Sequence, residues 1–192
     1  MLHVVHGTIT GKYSDSFVIE CGGIGLKAYA NARTLSALPE EGGTARVFCR
    51  LFVRETEMEL YAFGKEEELA FFEMLNSVAG VGPKTALGVL SIDSVPNLTA
   101  AILEKRADVL TRASGIGKKT AERIILELQN KVKLPASHAA TKEMDMNHEV
   151  EEVLVGLGYQ RYRVREALQS IREKETIEER LRHALRELGH TQ

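Results

Sequence analysis

Gly80-Val81-Gly82-Pro83-Lys84-Thr85-Ala86 returns 35 residues later as Gly115-Ile116-Gly117-Lys118-Lys119-Thr120-Ala121. Both copies read Gly-aliphatic-Gly-x-Lys-Thr-Ala, and each follows one apolar helical stretch and opens another. Two glycines around one apolar residue let the backbone bend sharply through positive φ with no Cβ in the way. The aliphatic residue plugs the gap between the flanking helices. The bend aims the first amides of the second helix outward. These amides lack carbonyl partners within the helix, and the dipole makes that end positive, so each bend suits one phosphate. Lys84 and Lys119 stand beside the two sites, and Pro83 fits the first helical turn, where its missing N–H costs nothing.

One such turn is weak support, because Gly-x-Gly is common in purely structural bends. Two copies with lysine and helix in the same places point to a tandem helix-hairpin-helix unit that grips the sugar-phosphate backbone. The DNA-binding candidates are Gly80, Val81, Gly82, Lys84, Gly115, Ile116, Gly117, Lys118, Lys119 and Arg123. From Arg112 to Lys133 six basic residues face two acidic ones. A solvated helix face explains Lys131 and Lys133 as well as DNA does. It explains Lys118 and Lys119 less well, because cations at a helix N-terminus oppose the dipole unless an anion is expected. The net charge of the chain is only -2, which argues against a polycationic coat and for a local basic patch.

Around this repeat the sequence changes grammar twice. Residues 1–64 read as β: 4–9, 17–21, 26–30, 45–49 and 59–63 are strand-like, and Gly22-Gly23-Ile24-Gly25 is a hairpin signal. Five short strands in so few residues suggest an OB-like barrel, since closure removes exposed edges. Residues 65–133 turn helical, with Phe71, Met74, Leu75 and Val78 on one stripe and Ala121, Ile124, Ile125 and Leu128 on another, broken by Pro83, Pro96 and Gly115. Residues 134–147 show no period and read as a flexible linker. Residues 148–192 carry three stripes: Val150, Val153, Leu154 and Leu157; Val164, Ala167, Leu168 and Ile171; Ile177, Leu181, Leu185 and Leu188. Gly158 stops the first of these helices, Thr176 and Glu179 form a capping box for the third, and Gly189 ends it. The fold class is therefore multi-domain α+β: a barrel, an all-α hairpin unit and a C-terminal three-helix bundle.

Several functions are disfavoured. A phosphate-binding ATPase loop needs Gly-Lys followed directly by Ser or Thr, whereas Gly117-Lys118-Lys119-Thr120 has an extra lysine, and Arg112 stands where the leading glycine belongs. Hairpin-bearing glycosylases use an aspartate on a helix beyond the hairpin, but the first aspartate after the second copy is Asp145, in the expected linker. No catalytic residue, cofactor or metal site is expected: the six histidines include no HExxH, and no Cys/His cluster has zinc spacing. Cys21 and Cys49 are expected as free thiols, no run approaches a membrane span, and no signal peptide is visible, so a cytoplasmic setting is expected. A protein-interaction scaffold would need no lysine in each copy, yet both copies have one.

The tandem hairpins, the N-terminal barrel, Val53-Arg54-Glu55 before Leu60-Tyr61-Ala62-Phe63, and Gly156-Leu157-Gly158-Tyr159 near the end together resemble the RuvA family. Its members are junction-binding subunits of the bacterial Holliday-junction branch-migration complex. The resemblance spans the chain except the linker. It implies a homotetramer, or an octamer on DNA, that holds a four-way junction open and near-planar, with the barrel serving oligomerisation. It implies partners in the RuvB motor, recruited through the UBA-like residues 148–192, and the RuvC resolvase, with the ATPase in RuvB. It maps an acidic pin onto Glu55, Thr56 and Glu57. Thr56 stands where the family commonly has a second acid; Glu57 and Glu59 are the two nearby acids placed to restore the charge, and the sequence leaves open which faces DNA. Carboxylates there would repel phosphates and help part strands without chemistry. The plain alternative for Glu55 and Glu57 is two solvated charges in a strand connection. Leu157 and Tyr159 are open between a partner patch and core.

Overall fold

The computed structural model describes residues 2–132, 138–169 and 176–189. The chain divides into two compact units, Met1–Leu134 and Pro135–Gln192. Among the described residues no single helix is long and apolar enough to cross a membrane.

The first unit begins with a closed barrel of five strands: β1 (Val4–Lys12), β2 (Ser16–Cys21), β3 (Ile24–Tyr29), β4 (Thr44–Val53) and β5 (Met58–Phe63), in the order β1-β2-β3-β5-β4. Every pairing is antiparallel except β3 with β5. The β2–β3 turn is two residues, not four: Gly22 and Gly23 both take positive φ (59° and 83°), and Ile24 already pairs with Cys21. Positive φ at both central positions is the hairpin turn whose twist matches the strands. Alternate side chains such as Ile9, Phe17, Ile19, Val47 and Leu60 fill the barrel. A short helix that the strand pattern does not reveal, α1 (Ala32–Ala37), bridges β3 and β4; the Asn31 side chain caps it by accepting from the Thr34 amide at 2.8 Å. Cys21 and Cys49 are free thiols, and burial pushes Cys49 up to about 11.

Five helices follow: α2 (Glu66–Asn76), α3 (Pro83–Leu90), α4 (Val95–Leu103), α5 (Ala107–Leu110) and α6 (Lys118–Leu128). Pro83 and Pro96 sit in the first turns of α3 and α4, so they start helices and do not break them. This helical part is not separate from the barrel. Phe72 of α2 lies within 6.0 Å, ring centre to ring centre, of Phe52, Tyr61 and Phe63 on β4 and β5. Burying such a ring contributes about 1.5–3 kcal/mol. Asn31 donates to the Leu90 carbonyl at 3.3 Å, and Arg50 of β4 meets Glu73 of α2 at 3.0 Å. The seam is aromatic in the middle and polar at its margins, so the strands fix where the hairpins stand.

The second unit is a three-helix bundle of α7 (His138–Gly156), α8 (Arg161–Gln169) and α9 (Ile177–Gly189). Its core joins Val150, Leu154, Val164, Ala167, Leu168, Ala184 and Leu188; Ile171 lies outside the described residues. Gly158 takes φ +96°, Gly158 N–H donates to Val155 O and Tyr159 N–H to Leu154 O, a glycine-closed helix end. The capping box is present: Thr176 N–H donates to Glu179 Oε2 at 2.8 Å and Glu179 N–H to Thr176 Oγ1 at 3.4 Å. The expected linker is corrected in part. Helix begins at His138, so 138–147 belong to α7; 134–137 lie outside the described residues. Ala139, Ala140, Lys142, Glu143 and Met144 are good helix formers without an apolar stripe, which is why periodicity misses them. Asn147, at the end of that stretch, accepts from the fully buried Arg180 of α9.

Candidate nucleic-acid interface

The two glycine bends are near copies in space as well as in sequence. Gly80 has φ +89° and Gly115 φ +82°, the left-handed region that a side chain resists. Val81 donates its amide to Val78 O at 3.0 Å, and Ile116 donates to Ala113 O at 3.2 Å. Both aliphatic side chains are buried as plugs. Gly82 (φ -83°, ψ 173°) and Gly117 (φ -88°, ψ 170°) then serve as N-caps of α3 and α6. Neither needs glycine for its conformation. At both positions an added Cβ would meet nothing within 4 Å, so the missing side chain leaves room on the outside of the bend.

The first helical bonds are made by Ala86 to Gly82 O (2.9 Å) and Ala121 to Gly117 O (3.0 Å). Among the described residues no protein acceptor takes the amides of Gly82, Lys84 and Thr85, or those of Gly117, Lys118, Lys119 and Thr120. Gly82, Lys84, Gly117, Lys118 and Lys119 are exposed. Each bend thus presents a cluster of outward, unspent donors at a helix N-terminus, the arrangement that attracts an oxyanion.

The bends also brace each other. Arg123 of α6 donates from Nη1 to Ala79 O, beside the first bend, at 3.0 Å. The residue 35 positions earlier is Gly88 of α3, whose Cβ would lie 3.8 Å from Ser114 O, beside the second bend. Likewise the Thr85 hydroxyl is the nearest atom to a Cβ at Gly115, at 3.7 Å. Each second helix leans on the other motif's turn, so the repeat is one rigid, approximately two-fold body. Arg123 holds that body together, a task its sequence position does not reveal.

Charge breaks the symmetry. Lys84 is ion-paired with Glu59 of β5 at 2.9 Å. That carboxylate also accepts from the Tyr61 hydroxyl at 3.2 Å and lies 3.9 Å from Arg54. The Lys84 hydrogen bond holds the Glu59 carboxyl below the usual 4.5 despite the opposing effect of burial. Glu59 in turn raises Lys84, and burial, aided by Glu59, pushes Tyr61 well above the ordinary phenol. Lys118 and Lys119 have no ion-pair partner among the described residues. Lys133, counted in the basic segment, lies outside the described residues.

Glu55, Thr56 and Glu57 form the exposed β4–β5 connection, closed by the Arg54 amide donating to Glu57 O at 2.9 Å. Glu57 is paired with Arg54 at 2.7 Å, and Glu59 is buried against Lys84, so neither is a free replacement for an acid at Thr56. Glu55 alone of the three acids has no ion-pair partner among the described residues. Glu59 neighbours the pin in sequence, but it lies two residues before Tyr61 on the same strand face and turns toward α3, where Lys84 meets it at 2.9 Å.

Comparison with known proteins agrees with this architecture. Residues 1–62 match the family described as RuvA N terminal domain, and residues 72–130 match the SAM-like helix-hairpin-helix tandem. The Holliday junction branch migration complex subunit RuvA of Caldanaerobacter subterraneus subsp. tengcongensis is 38% identical over 189 residues, covering 98% of this chain and 100% of that protein. The chain belongs to the RuvA family. The RuvA subunits of Thermoanaerobacter sp. (strain X514), 39% identical over 188 residues, and of Thermomicrobium roseum, 38% over 191, each align with 98% of this chain and 99% of their own length. These RuvA relatives carry the name of a branch-migration complex subunit.

Proposed function

We propose that this RuvA family member binds four-way DNA junctions through backbone phosphates and acts as the non-catalytic DNA-holding subunit of a branch-migration complex. The observation that carries the reading is the pair of exposed amide clusters at Gly82–Thr85 and Gly117–Thr120, each beside a glycine whose missing side chain leaves space for a phosphate. Gly80, Val81, Gly115 and Ile116 shape the bends. Gly82 and Gly117 admit the phosphate. Lys84, Lys118, Lys119 and Arg123 add charge, and amides rather than base edges make the contact, so little base specificity is expected. Four copies around a junction would present eight such clamps to the arms. Glu55, exposed at the β4–β5 tip and without an ion-pair partner among the described residues, would be the pin that repels phosphates at the crossover, with Thr56 and Glu57 completing the tip. The ATP-driven step would belong to a RuvB motor held by the bundle α7–α9, and RuvC would be a further partner. Leu157, 65% exposed at the glycine-closed end of α7, is offered to such a partner, whereas Tyr159 packs on the bundle core.

A mobility-shift titration of a four-way junction against linear duplex of equal length tests the reading. The junction should bind more tightly, and both affinities should fall steeply with salt. Equal affinities would remove the junction claim, and salt-insensitive binding would remove the phosphate claim.

A further inference from the structure

We propose that Glu59 is a specificity-determining residue of the first hairpin, holding Lys84 in an ion pair so that its charge serves only a phosphate seated on the Gly82–Thr85 amides. The inference rests on the reading of the bends as phosphate clamps. Its basis is an asymmetry of exposure. The Lys84 side chain is 73% exposed, while the Glu59 side chain, 2.9 Å away, is only 6% exposed. A mostly buried carboxylate does not readily give up its nearest cation to a diffuse attraction, because breaking the pair leaves it only the Tyr61 hydroxyl and the more distant Arg54, 3.9 Å away. DNA passing near α3 therefore meets a neutral pair.

A phosphate docked on the amides is different. It lies beside the ammonium, whose three N–H donors allow one bond to Glu59 and another to the phosphate. Should Lys84 swing further, Glu59 keeps the Tyr61 hydroxyl at 3.2 Å, and Arg54 waits at 3.9 Å. Lys119, at the equivalent place in the second bend, has no such restraint among the described residues. Glu59 thus trades affinity for linear DNA against preference for DNA held in register by both bends.

The test is Glu59→Gln, with Glu59→Leu as a second uncharged variant, each checked for folding by thermal melting. Freeing one cation adds about 0.9 to the slope of log affinity against log salt for each first hairpin engaged, on the order of tenfold in duplex affinity at low salt. The expected result is tighter linear-duplex binding with a smaller gain on the junction, so that the junction preference shrinks. The gain should vanish in Glu59→Gln/Lys84→Gln relative to Lys84→Gln alone, which a merely structural role would not produce. Unchanged duplex affinity and salt slope in both variants, weaker binding to both DNAs, or a gain that survives removal of Lys84 would overturn the proposal. Lys119→Glu, run alongside, separates the two failures. If it loses binding while the Glu59 variants match wild type, only the role of Glu59 is wrong; if wild type binds neither DNA or Lys119→Glu still binds, the clamp reading falls and this proposal with it.

Discussion

The two hairpins share a backbone and differ in what surrounds it. Their glycines agree within a few degrees of φ, their plugs make the same bond three residues back, and their N-caps have the same geometry. The first bend abuts the barrel, and its lysine answers to Glu59 on β5. The second begins with two adjacent lysines that no acid holds among the described residues. Main-chain geometry can be duplicated by repeating a short motif, whereas electrostatics depends on neighbours that the repeat does not carry. The second bend should therefore supply more of the salt-dependent attraction, and the first should be tied more closely to the fold.

The hardest test of that difference is Lys119→Glu. It replaces a cation with an anion beside the second amide cluster, and the loss should be roughly a hundredfold at 50 mM salt, since two charges enter the counterion balance. Lys119 lies in the first turn of α6, where a carboxylate favours the helix dipole, so the melting temperature should hold or rise. Mobility shifts and a thermal melt on the same sample check both halves. A protein that unfolds, or binds as before, would contradict the account of the second bend.

Neutral substitutions sharpen the contrast. Lys119→Gln should weaken DNA binding by about tenfold at low salt and leave thermal stability alone. Lys84→Gln should weaken it less and lower the melting temperature, because it strands Glu59 with the Tyr61 hydroxyl and a guanidinium 3.9 Å away. Equal effects from the two variants would mean that the ion pair to β5 is irrelevant. Arg123→Ala is smaller again. Losing its bond to Ala79 O should cost roughly 1 kcal/mol by denaturant melting. Because that bond braces the first bend, hydrogen exchange should rise around Gly80 before it rises around Gly115.

The parts of this molecule that were legible in the sequence are those written in local chemistry. Glycine spacing gave the bends, alternation gave the strands, and Thr176 with Glu179 gave the start of α9. The parts that were hidden depend on meetings between distant residues. Arg123 reads as another basic residue until Ala79 is seen beneath it. Glu59 reads as a neighbour of Glu55 and Glu57 until the strand turns it toward α3. The helical span 138–147 carries helix propensity without an apolar stripe, so periodicity passes over it. The barrel and the hairpins read as two domains because nothing in either pattern announces that Phe72 packs on Tyr61 and Phe63.

The subtlest difference between the hairpins is their response to pH. The Lys84 hydrogen bond lowers Glu59 from 4.5, so the folded-state value lies below the unfolded one. The ionised carboxylate then stabilises the fold above about pH 4.5, and that contribution is lost as pH falls through the depressed folded value. Lys84 shifts the other way, upward from 10.5 through its bond to Glu59, so its contribution is whole below that pH and disappears as pH rises through the raised value. The pair therefore supports the first bend across a broad neutral plateau and fails at both ends. Melting temperatures of wild type and Glu59→Gln should differ by a constant amount across that plateau and converge in acid and in strong base, where the pair no longer contributes. A Glu59→Gln profile parallel to wild type down to pH 3 would show that the carboxylate is not held by Lys84 in solution, and the asymmetry between the two bends would then have to come from the barrel's packing alone.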